Sequence, residues 1–246
     1  MFGKSIYTKV IFSFVLMLAC ISEVRSQAND KLGGWDILDV FYAPTKKYTV
    51  WFETQTRAET FAGNFYYHEF KGGLFYNLPN TNSFFLGTGA YTTYSPDGNY
   101  KAPTVTNEFR IWQQFIVNNN YSHLKIEHRY RFEERWINGD FKIRIRYRIN
   151  PVIALNKPKV GPKTAYISIF DEIFFGNHAP YFERNRFFAG AGYQFNKLIA
   201  VQSGFIRQFD YNKITDGSGK NFIQTTVLFY LDKKTFRSDT HPNMMD

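Results

Sequence analysis

The side chains best placed to do chemistry recur every second residue along two neighbouring runs. Lys125, Glu127, Arg129, Arg131, Glu133 and Arg135 form the first set, and Lys142, Arg144, Arg146 and Arg148 the second. Guanidinium groups are permanently charged and present their donors in a planar fork that fits carboxylates and phosphates. Arginines concentrated on one face do one of two things. They form a ladder of ion pairs, or they hold an anion. Four carboxylates on other runs are placed to join them. Glu108 stands two residues from Arg110, and Asp171 or Glu172 comes from further along, with Glu53 and Glu69 also available. Like charges directly opposite each other on paired strands repel, so compensation by such carboxylates is the structural reading, and it is preferred. The functional reading is an anion-selective passage, or a pocket for an acidic solute or lipid head group.

Other chemistries find little support. The five histidines are His68, His123, His128, His178 and His241. His128 falls on the apolar face of its run, and His68 and Glu69 are neighbours that point to opposite faces of a strand. No zinc spacing, acidic calcium loop or Gly-x-Ser-x-Gly nucleophile motif occurs, so neither a metal site nor a cofactor is expected. Ser168 and Glu172 share a face, and a histidine from another strand would complete a hydrolase triad. An outer-membrane enzyme acting on lipid or lipopolysaccharide is therefore an alternative reading. Gly190-Ala191-Gly192 precedes no helix and is read as strand packing.

The elements that position the charged set are strands. Phe141, Ile143, Ile145, Tyr147 and Ile149 alternate with the basic residues of the second run, and Leu124, Ile126, Tyr130, Phe132 and Trp136 face away from the charges of the first. Asn138-Gly139 is the best two-residue type I′ turn in the chain. If it closes a hairpin, paired residue numbers sum to 277, so that Trp136 faces Phe141 and Phe132 faces Ile145, while Arg131 meets Arg146 and Arg129 meets Arg148. Turn and alternation agree in register. One apolar face and one charged face suit a barrel with lipid outside and a polar lumen.

Eleven strand-like runs follow one another, near 35–42, 48–57, 64–77, 83–94, 105–117, 121–137, 141–155, 164–175, 184–196, 199–211 and 221–231. Turn-rich segments separate them, and no helical span or inter-domain linker interrupts them. The expected fold is all-β, an antiparallel up-and-down transmembrane barrel of 10–12 strands. Bacterial single-chain barrels have even strand counts, so either the run at 35–42, with Asp36 and Asp39, lies outside and leaves ten, or a twelfth is hidden. Pro151 is expected to mark a bulge or a distorted strand end. The loops Ser95–Pro103 and Asn177–Pro180 are candidates for the outward side.

Residues 1–26 read as an export signal. Lys4 and Lys9 precede the apolar run Val10–Ile21, and Val24-Arg25-Ser26 offers a cleavage site before Gln27. Lipidation at Cys20, within Met17-Leu18-Ala19-Cys20, is the competing reading. Cys20 is the single cysteine, so a processed chain has no disulfide and no thiol chemistry. Residues 27–34 are expected as a linker, 35–231 as the barrel and 232–246 as a polar tail. The chain carries a formal charge of +9, and removal of Lys4, Lys9, Arg25 and Glu23 leaves +7. A basic chain invites a nucleic-acid reading, but alternation on strands is not a reading motif, so no nucleic-acid partner is expected. Aromatics make up 20% of the chain, with 27 Phe and 17 Tyr, which suits strands and interfacial girdles.

A family resemblance rests on Trp35, Glu53–Arg57, Asn107–Gln114, Ile126–Arg135, Arg144–Pro151, Asp171-Glu172 and Asn185-Arg186. Together they are similar to the DUF2490 family of uncharacterised bacterial proteins. The resemblance implies an outer-membrane barrel in contact with outer-membrane lipid and carries no established activity. The expected function is structural, or a narrow channel for small solutes, anionic ones among them. A periplasmic ligand-binding β-protein or lipoprotein is a further alternative, and the sequence identifies no protein partner.

Overall fold

The computed structural model describes residues 28–95, 99–101, 103–213 and 216–232. Residues 1–27, which hold the expected export signal and Cys20, and the tail from 233 onward, with His241, lie outside the described residues.

The described chain is a single closed barrel of eleven strands. They are β1 (Ala28–Ala43), β2 (Tyr48–Thr60), β3 (Gly63–Asn77), β4 (Ser83–Tyr94), β5 (Thr104–Asn120), β6 (Leu124–Ile137), β7 (Asp140–Ala154), β8 (Thr164–Gly176), β9 (Phe182–Gln194), β10 (Ile199–Lys213) and β11 (Asp216–Asp232). Consecutive strands pair antiparallel, and β1 closes the ring against β11 in parallel, with Trp35 opposite Gln224 and Phe41 opposite Tyr230. A meander with an odd number of strands brings its first and last strands together in the same direction, so the parallel seam is a consequence of the count. The parity argument for ten or twelve fails at β1. Asp36 and Asp39 are three residues apart and so point to opposite faces. Asp36 faces outward and is exposed, while buried Asp39 accepts a hydrogen bond from Trp51 Nε1 at 2.8 Å. Residues 27–34 are not a linker, because strand begins at Ala28 and pairs continuously with β11 from Leu32.

Pro151 also departs from expectation. It lies inside β7 opposite Ile126, and the pairing to β8 resumes at Val152–Ser168 in the register left at Ile149–Asp171. The missing N–H interrupts one ladder locally without inserting a residue.

The Asn138-Gly139 hairpin has the register that its turn requires, from Ile137–Asp140 through Arg129–Arg148. Asn138 and Gly139 hold φ of 50° and 96°, the left-handed pair that a type I′ turn needs. The strand ends joined from β2 to β3, β4 to β5, β6 to β7, β8 to β9 and β10 to β11 all lie at this end of the barrel, called here the Gly139 end. Segments 44–47, 78–82, 121–123, 155–163 and 195–198 lie at the far end.

Side chains fill the interior. Toward the far end, Phe41, Trp51, Phe75, Phe85, Trp112, Ile116, Ala200, Leu228 and Tyr230 form a plug in which Phe75, Trp112, Ile116 and Leu228 have no exposed surface. Trp51 packs edge-on against both Phe85 and Trp112, at centroid distances of 5.4 and 6.4 Å. A second cluster, Trp35, Ile37, Phe170, Phe188, Ile206 and Phe222, lines the wall around the seam. Gly190 and Gly204 face each other there, and a Cβ on either would stand within 3 Å of Phe188 and of the other glycine's Cα. The absence of side chains at this pair is what admits the Phe188 ring.

Candidate functional site

β6 and β7 turn their charged faces inward and their aromatic and aliphatic faces outward. Glu127, Arg129, Arg131, Glu133, Arg135, Arg144, Arg146 and Arg148 are all buried, while Tyr130, Phe132, Phe141 and Ile145 are exposed on the outer wall. The pairing sets Arg129 against Arg148 and Arg131 against Arg146. The repulsion is answered by carboxylates that share the lumen. Glu172 of β8 accepts from Arg129 Nη2 at 2.6 Å and from Arg146 Nε and Nη2 at 3.0 and 2.9 Å. Glu133 accepts from Arg146 Nη1 at 2.7 Å and from Arg131 Nη1 at 3.4 Å, and Glu127 accepts from Arg148 Nη2 at 2.8 Å. Arg131 Nε also donates to Gln114 at 2.8 Å. Glu172 and Glu133 each serve more than one cation. Buried ions need that arrangement to offset their desolvation.

Nearer the Gly139 end, Glu108 takes a two-point contact from Arg110, at 2.6 and 2.8 Å, and is also bonded by Arg135. Glu183 accepts from Arg144 Nε at 2.6 Å. On the opposite wall Lys71 bridges Glu53 and Glu69, the second at 2.6 Å. Lys125 is only partly buried, 3.9 Å from Glu127, and Lys142 is half-exposed at the rim opposite Arg135.

Asp171 does not join the lumenal set. It is adjacent to Glu172 and so points outward, where it accepts from Asn185 Nδ2 at 2.9 Å. The hydrolase constellation is not assembled among the described residues. Buried Ser168 donates to Asn150 Oδ1 at 2.9 Å, and Glu172 is committed to arginines. His128 faces outward against the Tyr147 hydroxyl, His68 packs on Phe70 and Tyr94, and His123 and His178 lie in loops.

At the Gly139 end the lumen widens into a cavity of about 210 Å³. Nine cationic side chains line it, namely Arg57, Lys71, Arg110, Arg135, Arg144, Arg146, Arg184, Arg186 and Lys220, against three carboxylates, Glu69, Glu108 and Asp210. Aromatic faces hold several of the guanidinium groups in place. Arg57 lies 3.5 Å from the Trp35 ring centroid and 4.3 Å from that of Tyr67, and Arg110 lies 3.7 Å from that of Tyr91. Four arginines, Arg144, Arg146, Arg184 and Arg186, surround the buried Phe174 ring. Cation–π contact of this kind orients a guanidinium without neutralising it.

The family model described as DUF2490, a protein of unknown function, matches residues 32–218. The chain belongs to that family. No curated protein matches it. The DUF2490 match takes in the β6–β7 lattice and every cavity residue named above except Lys220.

Arg57, Arg184, Arg186 and Lys220 carry much of this DUF2490 cavity, and sequence reasoning did not single them out for chemistry. Arg184 and Arg186 show the same two-residue spacing as the β7 arginines, but over too short a stretch to stand out. Arg57 and Lys220 are the single cations on their strands. Only barrel closure, which brings β2, β9 and β11 to face β5–β7, reveals that they belong together.

Proposed function

We propose that this DUF2490 protein is an outer-membrane β-barrel, exported through residues 1–26, whose lumen is filled and not an open pore. The observation that carries the reading is the division of the wall. Leu38, Val50, Phe52, Leu74, Phe84, Leu86, Phe109, Phe132, Ile145 and Phe205 all stand exposed on the outside, while the charges are enclosed. A soluble monomer rarely exposes so extensive an apolar surface, whereas lipid requires one. A concavity of about 780 Å³ on this wall, lined by side chains such as Leu86, Phe115 and Tyr130, is of a chemistry that acyl chains would fill. The aromatic plug and the ion-pair lattice together favour a structural role for the lumen. The excess of cations at the Gly139 end favours a second reading, a narrow passage for small anionic solutes.

Fractionation and gel mobility test the first reading. Protein extracted from outer membranes should migrate faster unboiled than boiled on SDS gels and be absent from the soluble periplasm. Planar-bilayer recording separates the two readings, because a filled barrel adds no steady conductance and a passage adds an anion-selective one. A soluble protein with no heat shift would overturn the membrane assignment.

A further inference from the structure

The cavity at the Gly139 end lies on the side of the lumen opposite the plug. On the filled-lumen reading it is a blind, basic vestibule and not the mouth of a path. At about 210 Å³ it is smaller than the roughly 300–1,000 Å³ of pockets for drug-sized ligands, which limits any occupant to a compact group. Its lining carries nine cations against three carboxylates, and Glu53, Glu133, Glu172 and Glu183, from outside that lining, pair with Lys71, Arg146 and Arg144.

The donors differ in how far they are committed. Glu108 engages Arg110 and Arg135, Arg144 is held by Glu183, and Arg184 pairs with Asp210. Arg57 is different. It is buried, it lies between the Trp35 and Tyr67 rings, and its Nε has no hydrogen-bond partner among the described residues. Arg186 has a neutral partner, Gln208 Oε1 at 3.0 Å, and stands 4.0 Å from Glu172. Lys220 lies 4.9 Å from the Tyr66 ring, on the cavity's lining. Fixed guanidinium forks with unspent donors, converging with a lysine on a small cavity, are the chemistry that recognises phosphate oxygens.

We infer that the vestibule is a binding site for a phosphate group, with Arg57, Arg186 and Lys220 as its principal donors. The group is either free in solution or the head of a lipid. The inference rests on the reading of the chain as a folded barrel with a closed lumen.

The test uses the full processed chain purified in a non-ionic detergent. It is titrated calorimetrically with inorganic pyrophosphate and, separately, with phosphatidic acid in mixed micelles. Arg57→Gln and Lys220→Gln serve as variants, and neither removes the cation of an ion pair described above. The expected result is saturable one-to-one binding that weakens as salt rises. Each variant should lower affinity about tenfold or more, the scale of one charge-assisted hydrogen bond. Binding of pyrophosphate identifies a free anion as the ligand, and binding of phosphatidic acid alone identifies a lipid head group. Absence of saturable binding to both, or binding unchanged in both variants, overturns the inference. The heat shift on SDS gels is read on the same preparations. A barrel that shifts but binds neither probe sinks this inference alone, and a preparation that does not shift sinks the membrane reading on which it rests.

Discussion

Replacing Glu172 with Gln tests whether the lumenal charges are a structural lattice. The carboxylate has no exposed surface and receives three charge-assisted hydrogen bonds, from Arg129 at 2.6 Å and from Arg146 at 3.0 and 2.9 Å. Glutamine has almost the same shape and keeps one acceptor oxygen. The substitution therefore removes a charge without opening a cavity. Two buried guanidinium groups lose the carboxylate that they share, and removing one partner of a buried ion pair costs about 3–5 kcal/mol. For an unfolding slope of about 2 kcal/mol per molar urea, the midpoint falls by roughly 2 M. The assay is urea unfolding of the barrel in lipid vesicles, followed by tryptophan fluorescence and by the heat shift on gels. Glu134→Gln is the control, because Glu134 stands on the outer side of the same lattice, on β6. That change takes no partner from a lumenal arginine, so the lattice predicts a loss well below that of Glu172→Gln. If Glu172→Gln unfolds within the error of the control, the lattice is not what holds the lumen together and the structural reading fails.

Reversing the central arginines, in Arg146→Glu with Arg148→Glu, places new carboxylates beside Glu172 and Glu127 and should leave no heat-shifting barrel. Normal folding with an altered ion preference in bilayer recordings would favour a passage instead. Gly139→Val meets open space but forces a branched side chain to φ near +96°, so a loss of about 1–3 kcal/mol in urea unfolding is expected from backbone strain alone. Trp112→Ala removes a fully buried ring from the plug and should cost about 3–5 kcal/mol by the same assay. A wild-type stability for that variant would mean that the far end is not packed.

The sequence made legible what repeats locally. Strict alternation on β6 and β7, pinned by a turn that needs positive φ, defines both the face and the register of that hairpin. Eleven runs are visible in it, and only the parity rule argues against the count. That rule misleads because a seam between two strands far apart in sequence leaves no mark on either. Asp36 and Asp39 look like an irregularity, but they are one residue outside and one inside. Glu172 and Asp171 cannot be told apart until the register of β8 shows which of them enters the lumen. The vestibule is the least legible part. Its donors come from strands scattered over the whole chain, and only closure of the barrel makes them neighbours.

The measurement that bears most directly on a wall in lipid around a filled, charged lumen is fluorescence quenching by lipids brominated on their acyl chains. Trp35, Trp51 and Trp112 lie inside with exposures of 1% or less, and Trp136 stands on the outer face. In a Trp136→Phe background reconstituted into such vesicles, the three lumenal tryptophans should keep nearly all of their emission. Adding Phe132→Trp, at an exposed outward position, should add emission that the brominated chains quench strongly. Quenching of the lumenal three, or an introduced outer tryptophan that the lipid leaves untouched, would contradict the account.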